Sequence, residues 1–140
     1  MTRWVLFLVW FSCSWACASQ IQFGTVQVKI KDRVLKLELA EAFEERAQGL
    51  MFRPELCEDC GMIFSYEQPK VISMWMKNTL IPLDVAFVDE HGRIIAIKPM
   101  EPHDLRSVSS EVLAKYALEM NQGWFARNQI RVGDKVSITR

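Results

Sequence analysis

The chain has 140 residues, half of them hydrophobic, and its 17 basic residues balance 17 acidic ones. That size makes one domain the default and allows a real core without a disulfide framework. The even charge implies no basic nucleic-acid face, so no nucleic acid is expected as a partner.

The first eighteen residues, MTRWVLFLVWFSCSWACA, differ from the rest. One basic residue, Arg3, precedes an apolar core and then Ala16-Cys17-Ala18, the order of a secretory signal peptide cleaved between Ala18 and Ser19. An uncleaved anchor fits less well, because a membrane span needs roughly 20 apolar residues. A lipoprotein signal with lipid on Cys17 or Cys13 is a third option, although the preceding SWA and WFS suit it poorly. Removing 18 of the 140 residues leaves 122, residues 19–140, as a single domain. Arg3 leaves too, so 16 basic residues face 17 acidic ones and the formal charge becomes −1. The expected location is the periplasm or the exterior, with no membrane association beyond the signal.

Thr25–Lys31 alternates Val26, Val28 and Ile30 with Gln27, Lys29 and Lys31. Val34–Ala40 alternates again, with Leu35, Leu37 and Leu39 on one face, and Asp32-Arg33 suits a tight turn between them. Period-two patterning on both sides of a turn predicts a half-buried antiparallel hairpin. Phe43, Ala47, Leu50 and Met51 then fall at helical spacing, opened by Glu41, Glu44 and Glu45, which predicts an amphipathic helix stopped by Pro54. Strand patterns resume at Gly61–Glu67, Val71–Lys77, Leu83–Asp89 and Arg93–Met100, with His91-Gly92 in a turn. Glu101–Ser110 reads as a loop, Lys115–Met120 as a strand, Gln122–Gln129 as a short helical turn and Asp134–Ile138 as a closing strand. Many short strands with few helices predict a mainly β (α+β) fold, an antiparallel sandwich or a partly closed barrel with one or two short helices.

CEDC is the most chemical-looking motif. Export removes Cys13 and Cys17, leaving Cys57 and Cys60, and two nearby cysteines in an oxidising compartment usually pair. A redox thiol needs a lowered pKa, whereas Glu58 and Asp59 act in the opposite direction. A structural disulfide is the expected state. Zinc would need further ligands, and His91 and His103 sit in polar turns. Thioethers suit Cu(I), but Met51, Met74 and Met76 fall on faces expected in the core. No metal or other cofactor is therefore predicted, and hydrolase and P-loop motifs are absent from the sequence.

ERAQGLMFR, GMIFSY, MWMKNTLIPLDVAFVD, GRIIAI, YALEM with Gly123 following, and VGD occur in that order between about Val34 and Val136. In these residues the chain resembles the bacterial and archaeal domain of unknown function numbered 192. The resemblance implies a compact β-rich sandwich with short helices, and a biochemical role that is not established. It singles out Gly49, Met51, Arg53, Gly61, Met62, Phe64, Trp75, Met76, Lys77, Asn78, Pro82, Leu83, Asp84, Glu119, Gly123 and Gly133-Asp134. CEDC departs from that pattern, which suits a local staple.

Within SMWMKNTLIPLDVAF, Asp84 stands between Leu83 and Val85 and needs a partner, for which Lys77 or Arg53 could serve. If the strands before and after Asn78–Pro82 were antiparallel neighbours, Lys77 and Asp84 would meet at one sheet end, with Asn78 and Thr79 bonding loop backbone. Three functional readings stand. The first is a small-ligand or protein-partner-binding module using Arg53, Trp75, Lys77, Asn78, Asp84 and Glu119, with Trp75 as a flat apolar wall. The second is a hydrolase-like enzyme in which Asp84 and Glu119 converge. The third is a periplasmic metal- or thiol-handling protein using Cys57 and Cys60.

Overall fold

The computed structural model describes residues 21–140. The segment read as a signal peptide, with Cys13 and Cys17, lies outside the described residues. The elements are β1 (Gly24–Ile30), β2 (Arg33–Ala40), α1 (Phe43–Gln48), β3 (Gly61–Met74), β4 (Leu83–Val88), β5 (Ile94–Met100), β6 (Val108–Asn121), α2 (Trp124–Arg127) and β7 (Val136–Thr139). The strands form one seven-stranded sheet in the order β5-β4-β6-β3-β2-β1-β7. Every pairing is antiparallel except β2 with β3, where Glu38 lies opposite Met62.

The sheet curls until its edges meet. Arg93 bridges Lys135, Ile94 N–H donates to the Asp134 carbonyl at 2.9 Å, and Val136 N–H donates to Gly92 at 2.7 Å. A partly closed barrel, not a sandwich, is therefore the architecture. Right-handed strand twist favours such curling, and meeting edges hide unpaired backbone groups.

Alternation along the strands divides the buried side chains into two cores. The inner one, inside the curl, holds Val28, Ile30, Leu37, Ile63, Ala86, Leu118 and Met120, closed by Trp124 and Phe125 of α2. The outer one holds Met62, Phe64, Met74, Met76, Leu83, Val85, Phe87 and Ala117, roofed by Leu50 and Ile81. β4 is buried on both faces, which explains why Asp84 is its one polar residue.

The sequence expectations need correction at four places. The two strands expected between Gly61 and Lys77 are one, β3; Pro69 is absorbed where its pairing with β6 shifts register between Ser65 and Lys70. β6 begins at Val108, inside the expected loop. The first hairpin turns at Lys31-Asp32, since Ile30 pairs with Arg33. α1 ends at Gln48, well before Pro54, and it buries none of its own residues; Phe43 is 74 % exposed. Gly49 causes the early stop: its φ of 49° breaks the helix, and a Cβ there would lie 3.1 Å from the Phe64 ring. Leu50 reaches the outer core only because of this turn.

Candidate functional site

β6 lies between β3 and β4, and that placement decides the fate of the candidate residues. The expected Lys77–Asp84 pair does not form, because Lys77 lies in the turn after β3 and β3 is not a neighbour of β4. Lys77 is exposed, with its Nζ 5.3 Å from the centre of the Trp75 ring. Asp84, 9 % exposed, accepts the backbone N–H of Gly123 at 2.7 Å. Gly123 has φ 81° and starts α2, so Asp84 fixes the turn that sends Trp124 into the barrel. Asn78, at φ 52°, offers its carbonyl to Phe52 N–H at 2.8 Å and so ties the turn after α1 to the loop after β3. Arg53 is not Asp84's partner either. It grips Glu38 through two bonds of 2.6 Å, a bidentate pair that raises the guanidinium pKa mainly through these hydrogen bonds.

Asp84 and Glu119 do not converge. Asp84 lies opposite Met120 and Glu119 opposite Val85, and cross-strand partners share a face. Met120 belongs to the inner core and Val85 to the outer one, so the two carboxylates stand on opposite sides of the sheet. The geometry removes the basis for a hydrolase that uses both.

The CEDC loop is a strap over one end of the barrel. Cys57 and Cys60 are bonded to each other, with their Cα atoms 5.0 Å apart. Asp59 accepts the Trp124 indole N–H at 2.9 Å, while Asn121 Nδ2 donates to the carbonyls of Leu56 and Cys57 at 3.1 and 2.9 Å. Both sulfurs are spent in the bond, so neither is a thiolate ligand. Met62, Met74, Met76 and Met100 pack in the outer core. Among the described residues, no three His, Cys, Asp or Glu groups gather in a way that could hold a metal ion.

What the fold does assemble is a cavity of about 80 Å³ on the outer face, between the α1 turn and the β3–β6 pair. Its walls include Arg46, Met51, Phe64, Tyr66, Met74, Trp75 and Thr79, with Glu119 among them. Glu119 is 4 % exposed, and among the described residues no donor bonds its carboxyl, whose oxygens are not fully enclosed. Burial pushes that carboxyl up to about 8, so it is mostly protonated at neutral pH. Burial also raises the Tyr66 phenol; Arg46 opposes the rise and Glu119 adds to it. Thr79 donates its hydroxyl to the Lys77 carbonyl at 3.1 Å, leaving oxygen lone pairs available. Arg46 bonds the Glu41 carbonyl, reaches that of Ser65 at 3.3 Å, and stacks 4.8 Å from the Tyr66 ring centre.

Of the residues expected from the sequence, Trp75 and Glu119 meet at this cavity, Lys77 stands beside it on Trp75, and Arg53, Asn78 and Asp84 serve elsewhere. Arg46 and Tyr66 were not expected, and Thr79 was expected only to bond loop backbone, as it does at Lys77. Tyr66 could have been found by extending the alternation Met62, Phe64, Tyr66 along β3, since Met62 lies opposite Glu119. Arg46 carried no such signal, because a basic residue on a short charged helix normally faces solvent.

Two solved structures are similar over most of the chain. One, from Sinorhizobium meliloti 1021 and provisionally described as a transcription regulator, is 31 % identical with a TM-score of 0.82, covering 85 % of this chain and 97 % of that one. The other, a protein of unknown function from Novosphingobium aromaticivorans DSM 12444, is 38 % identical with a TM-score of 0.76, covering 86 % and 89 %. No curated protein matches the chain. The profile of the domain of unknown function 192, described as Uncharacterized ACR, matches residues 26–138. The chain belongs to the domain of unknown function 192 family.

Proposed function

We propose that this domain is a small-ligand-binding module and that the Glu119 cavity is its binding site. One observation carries the reading: the Glu119 carboxyl, on a residue only 4 % exposed and bonded by no donor among the described residues, opens onto a cavity walled by aromatic, thioether and hydroxyl groups. A carboxyl kept for structure alone would be expected to find a donor, as Asp84 does at Gly123. A perturbed ionisable group in a concave site marks a candidate for function. The walls come from a pinned frame, since Phe52 N–H bonds the Asn78 carbonyl at 2.8 Å and Met76 N–H bonds that of Asp104 at 2.9 Å. The test is native mass spectrometry of the purified protein for a retained small molecule, followed by NMR mapping of every hit. Binding should shift the Met51 and Met74 methyl groups and the Thr79 amide. Hits that bind only at other surfaces would overturn the assignment.

The domain is further proposed to work outside the cytoplasm after loss of its first eighteen residues. The Cys57–Cys60 bond supports an oxidising compartment. No helix among the described residues is long and apolar enough to cross a membrane. The exported protein should begin at Ser19; N-terminal sequencing that finds Met1, or a lipid on Cys17, contradicts this.

A further inference from the structure

The ligand's chemical class can be argued from the charges around the cavity, given that the cavity is the binding site. Three cations surround its walls. Arg46 is part of the lining. The Lys70 and Arg46 cations lie 5.5 and 4.8 Å from the centre of the Tyr66 ring, and the Lys77 cation lies 5.3 Å from that of Trp75. Among the described residues none of the three forms an ion pair with a carboxylate.

Of the acids nearby, Glu44 and Glu67 are exposed to solvent, and Glu45 and Glu41 are engaged. Glu45 turns back to accept the N–H groups of Glu41 and Ala42 at 2.7 and 2.9 Å, and Glu41 pairs with Arg140. Residues opposite Glu119 on the flanking strands are Met62 and Val85, which bring no charge. The cavity therefore combines three nearby cations that form no ion pair among the described residues with a carboxylic acid that can donate a proton in a hydrogen bond. The Tyr66 hydroxyl, unbonded among the described residues, is a second donor in the wall.

We infer that the site takes a small carboxylate-bearing molecule, one of whose oxygens accepts a hydrogen bond from the Glu119 carboxylic acid while Arg46, Lys70 and Lys77 meet its charge. An acid–carboxylate bond is charge-assisted and short, and it is strongest where water is excluded. A cationic ligand would face three like charges and would require Glu119 to ionise in a buried setting. Size sets a further limit. A cavity of about 80 Å³ has room for more than one water and admits a small carboxylate such as acetate. Anything longer continues outward past Trp75, which is 49 % exposed.

Binding has a pH window with a definite sign. The ligand must be ionised and Glu119 protonated, so affinity should be greatest between the ligand's own pKa and about 8, falling above that. Tyr66, whose pKa is raised, stays neutral across this range.

The test compares acetate, acetamide and methylammonium by NMR titration, reading the Thr79 amide and the Met51 and Met74 methyl groups. Acetate should bind at least about tenfold more tightly than acetamide, and methylammonium should not compete with it. Arg46→Gln should weaken acetate several-fold without unfolding the protein. Glu119→Gln keeps an N–H donor and should retain acetate binding while abolishing its loss above pH 8. If acetamide or methylammonium binds in the cavity and acetate does not, the carboxylate assignment fails while the ligand site stands. If none of the three shifts these residues, and no other small molecule does, both fall.

Discussion

Replacing Glu119 with glutamine should stabilise the protein at neutral pH, and by an amount that depends on pH. In the folded chain the Glu119 carboxyl sits at about 8 instead of its ordinary 4.5, because burial disfavours the charge. The folded state therefore holds a proton that the unfolded chain releases between these values. For a raised pKa the associated stability is complete below about 4.5, falls as pH rises, and levels off above about 8. Each pH unit in that interval is worth roughly 1.4 kcal/mol, so the span is on the order of 5 kcal/mol, of which about 3 kcal/mol has gone by pH 7. Glutamine has the shape of the protonated acid and nothing to titrate. Glu119→Gln should thus match wild type near pH 4, exceed it by roughly 3 kcal/mol near pH 7, and exceed it by more near pH 8.5. Urea denaturation of both proteins across this range, in carboxylate-free buffers, reads the difference directly. Other carboxylates with lowered pKa, such as Glu45 and Asp134, cancel when the two proteins are subtracted. A difference that does not change with pH, or a variant weakened equally at every pH, would refute a neutral buried Glu119.

Asp84→Ala should cost about 1–3 kcal/mol by stranding the Gly123 N–H, whereas Lys77→Ala should cost under about 0.5 kcal/mol. Their double-mutant cycle should show no coupling, and a coupling above about 1 kcal/mol would restore the ion pair that the fold denies them. Replacing Cys57 and Cys60 together with serine should lower stability by about 2 kcal/mol in the chain-entropy account and speed hydrogen exchange at the Trp124 indole, measured by NMR. Acetate binding should survive that change, because the strap holds Trp124 of the inner core whereas the Glu119 cavity lies on the outer face of the sheet. Gly49→Ala, at φ 49° with the Phe64 ring 3.1 Å from the new Cβ, should lose roughly 1–3 kcal/mol in thermal or chemical denaturation and loosen the roof of the cavity.

Much of this architecture was legible in the sequence because period-two alternation reports burial directly. Val26, Val28 and Ile30, then Leu35 and Leu37, mark an inner face, and they are in the inner core. Pairing between distant strands leaves no such trace. Nothing in SMWMKNTLIPLDVAF shows that β6, forty residues or so downstream, inserts between β3 and β4. That single insertion separates Lys77 from Asp84. It also places Glu119 beside Met62 and Val85 on the outer face, leaving Asp84 on the inner one. Glu119 stood out because an acid in YALEM is surrounded by apolar groups; its companions did not. Tyr66 looked like one more strand residue and Arg46 like a solvated helix residue until Gly49 ended α1 and turned the chain back over β3. The Cys57–Cys60 pairing was legible in CEDC, but the placing of Asp59 on the Trp124 indole depends on a contact across 65 residues.

The most direct test of the binding account is the titration of the Glu119 side-chain carboxyl by carbon-13 NMR, with and without saturating acetate. Without acetate its midpoint should lie at about 8. With acetate bound it should move higher, because a carboxylate partner favours the protonated acid. A midpoint near 4.5 in the free protein, or one that falls when acetate is added, would contradict the account.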